Sequence, residues 1–150
     1  MTDRTPSGTY EDSAEVLEHL QLLDSMSAEQ MVNLMAFVFD KATSQYEAYQ
    51  LVGVIENYAG NRPPLKMELM TLEVNDTRDA VRINAIFSLQ GIADVDLKLA
   101  EKWARQLIDG SSLKVRRKAL RIIGSELADW RSYGASEDFV SFVDSQMQEV

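Results

Sequence analysis

A chain of 150 residues, 45% hydrophobic and 26% charged, is one globular domain by length or a short run of repeats, and it can bury a real core. Its formal net charge of −9 repels the phosphate backbone of nucleic acid unless a concentrated basic face overrides it. With no cysteine, disulfides and thiolate metal sites are excluded, and a reducing, cytoplasmic setting is expected.

The start of the chain has no apolar run behind basic residues, and no stretch approaches the length of a membrane span. A soluble intracellular protein without membrane contact is therefore expected. Seven glycines and three prolines suit helices joined by short turns. The charge is unevenly spread. Residues 1–97 carry 6 basic and 16 acidic side chains, residues 98–131 carry 9 and 4, and residues 132–150 carry none and 4.

Residues 1–11 mix Thr, Ser, Pro and Gly without periodicity and read as a flexible N-terminal arm ahead of a single helical domain over 12–150. Asp12 or Ser13 is a suitable cap for a first helix to about Ser25, with Val16, Leu17, Leu20 and Leu23 on one face. Ser27 opens the second helix, and Gln30 completes a capping box. That helix is apolar over more than half its circumference, through Met31, Val32, Leu34, Met35, Phe37, Val38 and Phe39, which predicts cover from two sides. The alternative is an exposed groove or an oligomer contact.

A third helix from Ser44 to Tyr58 buries Ala48, Leu51, Val52, Ile55 and Tyr58, and its other side carries Tyr46, Tyr49 and Gly53. Pro63-Pro64 then introduces a fourth helix ending near Val74. Thr77 is the expected cap of a fifth running to about Ala93. Asp94 is the expected cap of a sixth, stopped by Gly110 in a left-handed conformation. The seventh runs from about Leu113 to Asp129. Ser136 caps the eighth, whose inner stripe is Phe139, Phe142, Val143 and Met147.

The third, fifth and seventh helices start about 34 residues apart, and two of them repeat a pattern. Val81, Arg82, Ala85, Ile86 and Leu89 match Val115, Arg116, Ala119, Leu120 and Ile123. Helix pairs at a fixed period bury their apolar faces against their neighbours, as in an α-solenoid. At 100° per residue, Arg82 and Arg116 fall inside the apolar face, where a charge is costly unless paired. Asp76 or Asp79, and Asp109 in the later turn, are suitable acceptors. The pattern of Asp followed by Val-Arg-x-x-Ala and an apolar residue resembles the HEAT-repeat family over residues 75–130. The resemblance implies an all-α, HEAT-like stack of antiparallel helix pairs, about eight helices in all. It also implies a structural ladder in which Arg82, Arg116, Asp76 and Asp109 tie adjacent repeats together.

Little in the chain points to catalysis. His19 is the single histidine, with Glu15 one turn before it, and a helical carboxylate metal site needs a second set of ligands. Serines lack a histidine base, and no phosphate-binding glycine pattern occurs. No enzyme activity, metal or cofactor is expected.

Two surfaces are candidates for binding. Lys114, Arg117, Lys118 and Arg121 lie within about 100° on the outer side of the seventh helix, a basic stripe that Lys98, Lys102 and Arg105 would extend. Tyr46 and Tyr49 offer contact area with a polar tip, as tyrosines at interfaces do. The expected function is a non-catalytic protein–protein interaction module, an adaptor or scaffold with a preformed helical surface. Alternatives are an acidic inhibitor or immunity-type protein that blocks a basic partner, and nucleic-acid binding through the stripe at 114–121.

Overall fold

The computed structural model describes residues 21–110 and 112–149, and every regular element among them is an α-helix. These are α1 (Ala28–Lys41), α2 (Gln45–Gly60), α3 (Pro63–Val74), α4 (Asp79–Ala93), α5 (Leu97–Ile108), α6 (Leu113–Ser125), α7 (Leu127–Ser132) and α8 (Glu137–Gln148). A helical segment ending at Asp24 precedes α1. The expected N-terminal arm, the Asp12 or Ser13 cap, and Val16, Leu17, His19 and Leu20 lie outside the described residues.

Local side-chain chemistry fixes most helix starts. The Ser27 hydroxyl accepts from the Gln30 amide at 3.1 Å, and the Gln30 side chain accepts from the Ser27 amide at 2.8 Å, closing the expected capping box. Ser44, Ser112 and Ser136 cap α2, α6 and α8 by the same hydroxyl-to-amide bond.

Two starts differ from expectation. Arg78, not Thr77, is the boundary residue of α4, because Asp76 accepts the Arg78 backbone N–H at 2.8 Å and turns the chain itself. Asp94 closes α4, and Asp96 caps α5 by accepting from the Leu99 amide at 3.2 Å. Gly110 does not take the left-handed conformation; among the described residues the positive φ belongs to Gly134, at 99°, where the chain turns toward α8.

The chain divides into two compact units, one ending at Leu69 and the other starting at Met70. In the first unit α1 and α2 form a hairpin. Phe39 meets Tyr49 edge-on near the turn, while the Tyr58 hydroxyl donates to Asp24 at the open end, so the two helices run antiparallel. That hydrogen bond raises the Tyr58 hydroxyl above its ordinary pKa. Lys66 at the start of α3 pairs with Glu56 of α2 at 2.8 Å. The apolar arc of α1 is wider than one neighbour covers. Ala28, Met31, Val32 and Met35 are buried, but Phe37 stays 59% exposed and Leu51 of α2 is exposed as well.

The second unit is built from two hairpins. Gln106 near the end of α5 donates to Asn75 just before α4 at 2.7 Å, which makes α4 and α5 antiparallel. Arg116 at the start of α6 donates to Gln146 at the end of α8 at 2.6 Å, which does the same for α6 and α8. Gln90 near the end of α4 reaches Asp129, just past α6, at 2.7 Å, and Glu101 of α5 accepts from Ser136 at the start of α8. Thus α4 and α6 lie parallel, and so do α5 and α8. Two like hairpins lie side by side.

Helices α2, α4 and α6 start at Gln45, Asp79 and Leu113, each 34 positions after the last. The partners α5 and α8 start 40 positions apart, at Leu97 and Glu137, because α7 is inserted. The expected seventh helix is thereby divided. Gly124 and Ser125 are weak helix formers, and the Ser125 hydroxyl bonds back to the Ile122 carbonyl at 2.8 Å. The chain turns at Glu126, and α7 brings Trp130 into a stack on Phe139 with ring centroids 5.0 Å apart.

Trp130 is fully buried, so Trp130→Ala leaves a cavity and is expected to cost about 3–5 kcal/mol in urea unfolding, whereas Phe37→Ser changes stability by less than about 1 kcal/mol. Equal losses for the two variants would mean that the core does not lie where α7 and α8 meet.

Candidate functional site

The residues of α6 divide by face. Val115, Ala119, Leu120 and Ile123 are buried and anchor the helix, so the opposite side is presented on a rigid support. On that side Leu113, Lys114, Arg117, Lys118 and Arg121 line an open groove of about 450 Å³. The expected stripe is therefore one continuous surface. Among the described residues, none of its four cations has a carboxylate within ion-pairing distance, whereas Lys66, Arg78, Arg82 and Arg116 are each paired. Lys118 lies 5.6 Å from the ring centroid of Phe87 on α4, and Phe87 is 48% exposed. Sequence reasoning missed Phe87, because its place beside the stripe follows from the packing of α4 on α6.

The proposed extension along α5 divides. Lys98 and Lys102 are exposed on α5, but Arg105 stands over the Phe142 ring at 4.7 Å and is engaged with α8.

The inward arginines are held differently from the expected ladder. Arg82 donates to Asp79 at 2.8 Å, one turn earlier on its own helix. Asp76 is taken instead by Arg78, whose side chain donates to both carboxylate oxygens at 2.9 and 2.8 Å. These hydrogen bonds hold the Asp76 carboxyl below its usual pKa. Arg116 uses Gln146 at 2.6 Å and Glu149 at 3.7 Å, so its acceptors come from the C-terminal end. Asp109 is exposed and closes α5 through its backbone N–H, which donates to the Arg105 carbonyl at 2.8 Å. The bonds of Arg116 tie α6 to α8 within one hairpin.

Arg82 also borders a cavity of about 350 Å³ lined by Val74, Asn75, Asp76, Gln106 and Leu107. Elsewhere in this unit Glu73, almost fully buried, accepts from Asn84 at 3.1 Å. No sequence signal marks this pair, since the residues are 11 apart and on different helices.

The two tyrosines separate. Tyr49 is half-buried against Phe39, with ring centroids 5.5 Å apart. Tyr46 is 73% exposed and accepts a hydrogen bond from Gln50 at 3.0 Å. A contact surface built on both is reduced to Tyr46.

Glu126, between α6 and α7, has its pKa raised by burial and by Asp129, against a 3.4 Å hydrogen bond from Trp130 Nε1. Among the described residues no cluster of three or more His, Asp or Glu is placed to hold a metal ion, and no helix is long and apolar enough to cross a membrane. Comparison with known proteins finds no matching family model and no curated protein or solved structure of significant similarity.

Two outcomes follow from these contacts. Arg116→Met removes a charged hydrogen bond and is expected to cost about 1–3 kcal/mol of stability in urea unfolding. Unchanged stability would contradict a structural role for the contact with Gln146. Glu126→Gln keeps an acceptor for Trp130 but removes a charge that burial disfavours. A raised folded-state pKa penalises the ionised form above it, so the variant is expected to melt higher than wild type at pH 7. That gain should vanish as pH falls below the ordinary carboxylate value of about 4. A gain that persists at pH 3 would point to packing as its cause.

Proposed function

We propose that this chain is a non-catalytic protein-interaction module, a HEAT-like helical-repeat adaptor acting in the cytoplasm, that holds an acidic region of a partner protein on the outer face of α6. One observation carries the reading: Lys114, Arg117, Lys118 and Arg121 share a groove without a carboxylate partner among the described residues, in a chain where acidic side chains outnumber basic ones 24 to 15. In such a chain an unneutralised basic groove favours an external anion. Its support is preformed, so binding does not require the helix to be ordered first. The charges steer an acidic partner toward the groove.

The groove offers Leu, Lys and Arg, which supply charge and apolar contact but neither a carboxylate nor an imidazole to move a proton. A protein partner is favoured over nucleic acid because Lys114 to Arg121 covers only about 10 Å of helix axis, enough for few phosphates. The rest of the chain repels a polyanion that extends beyond the groove.

The test compares a short polyglutamate of about eight residues, about 12 Å long as a helix, with a single-stranded oligonucleotide of equal charge, by fluorescence anisotropy at about 0.15 M salt, where charges beyond about 8 Å are screened. Polyglutamate is expected to bind, and Arg117→Glu with Arg121→Glu should weaken it at least about tenfold. Lys98→Glu with Lys102→Glu on α5 should have a much smaller effect. Tighter binding of the oligonucleotide, or equal losses in the two double variants, would overturn the reading.

A further inference from the structure

We infer that the bound region is an acidic amphipathic helix, laid against α6 in the way α6 itself lies against α4; this rests on the reading of α6 as the partner-binding face. The 34-residue offset maps α4 onto α6, so each α6 residue has a counterpart whose surroundings are known. On α4, the arc that meets α6 is marked by Gln90, which reaches Asp129, and by Phe87, over which Lys118 stands. At 100° per residue Asp79, Ile83, Ile86, Phe87 and Gln90 share this arc. The matching arc of α6 holds Leu113, Arg117, Leu120, Arg121 and Gly124, with Lys114 at its edge.

Among these, Leu113, Lys114, Arg117 and Arg121 are exposed, and Leu113 is 55% so. Leu120 is buried and Gly124 packs against Met147 of α8, but the counterparts of Ile83 and Phe87 on α6 are open, and they have become basic beside the exposed Leu113. A purely apolar helix is thereby disfavoured on this face, and an acidic one is admitted.

The spacing selects a helix over an extended segment. Lys114, Arg117 and Arg121 advance by about one turn each, close to 5 Å along the axis. Carboxylates at i, i+3 or i+4, and i+7 of a second helix repeat at that interval, while same-face residues of a strand repeat every ~7 Å. Helix-on-helix packing at 8–10 Å between axes also lets an apolar side chain of the partner cover Leu113.

Three peptides of equal length and charge decide the matter on the intact protein. One carries Glu at i, i+4 and i+7 around a leucine on a stabilised helix. The second scrambles the spacing while remaining helical, and the third is broken by two central prolines. The patterned helix is expected to bind at least tenfold tighter than either, and to lose that advantage in Arg117→Glu with Arg121→Glu and also in Leu113→Ser. Equal binding of all three peptides would overturn the helical occupant while leaving the acidic-partner reading intact. Failure of all three together with polyglutamate would remove both. Sedimentation of the protein alone supplies a further arm. A dimer that disappears in the double charge reversal would assign the slot to a second copy and overturn the inference; a monomer at all concentrations supports it.

Discussion

Burial of α4 is the constraint on which the second unit depends. Val81, Ala85, Ile86 and Leu89 are fully inaccessible, and Ile83 and Asn84 on its flanks are nearly so. One partner covers only one stripe of a helix, so a helix buried over so wide an arc has to be packed by several. Helix α5 covers the inner stripe by folding back on α4, and α6 packs on both. Stacking of hairpins is then the economical solution, because each new hairpin hides the flank left by the one before. The 34-residue spacing of helix starts is the trace of that solution in the chain.

The same constraint explains where the polar groups are placed. Arg82 and Arg116 occupy equivalent inward positions, yet each finds a different acceptor, Asp79 on its own helix for one and Gln146 with Glu149 for the other. What the repeat preserves is a partner for one end of the guanidinium, Nη2 in both cases, while the buried Nε of Arg82 and of Arg116 has no hydrogen-bond partner among the described residues. Leaving the whole charge unpaired in a largely buried place is costly. The identity of the acceptor is free to change. A ladder across repeats is not needed for this; hydrogen bonds from Gln90 and Gln106 and the contact of Glu101 with Ser136 already fix how the helices lie.

On the outside of α6 the demand for burial ends. Where α4 has Ile83 and Phe87, α6 has Arg117 and Arg121. Apolar residues there would offer an exposed patch prone to unspecific association. Cations keep the face open to water, in line with the acidic partner proposed for it. The binding surface proposed for this chain rests on this difference between α4 and α6.

Much of this was legible in the residues themselves. Apolar spacing and serine caps marked the helices, the Val-Arg-x-x-Ala pattern marked the repeat, and the arc of Lys114, Arg117, Lys118 and Arg121 marked the groove, because helical geometry depends on local spacing alone. Tertiary structure decided what local spacing leaves open. It paired Asp76 with Arg78, turned Arg105 onto Phe142, set Phe87 beside the basic face, and broke the expected seventh helix so that Trp130 could stack on Phe139. Each of these depends on which groups from distant parts of the chain arrive within a few ångströms. The sequence by itself determined that the chain is helical, repetitive and basic on one helix face. The packing of α6 and α8 against α4 and α5 alone decided which of those charges remained free, because an ion pair is made by proximity in space and not along the chain.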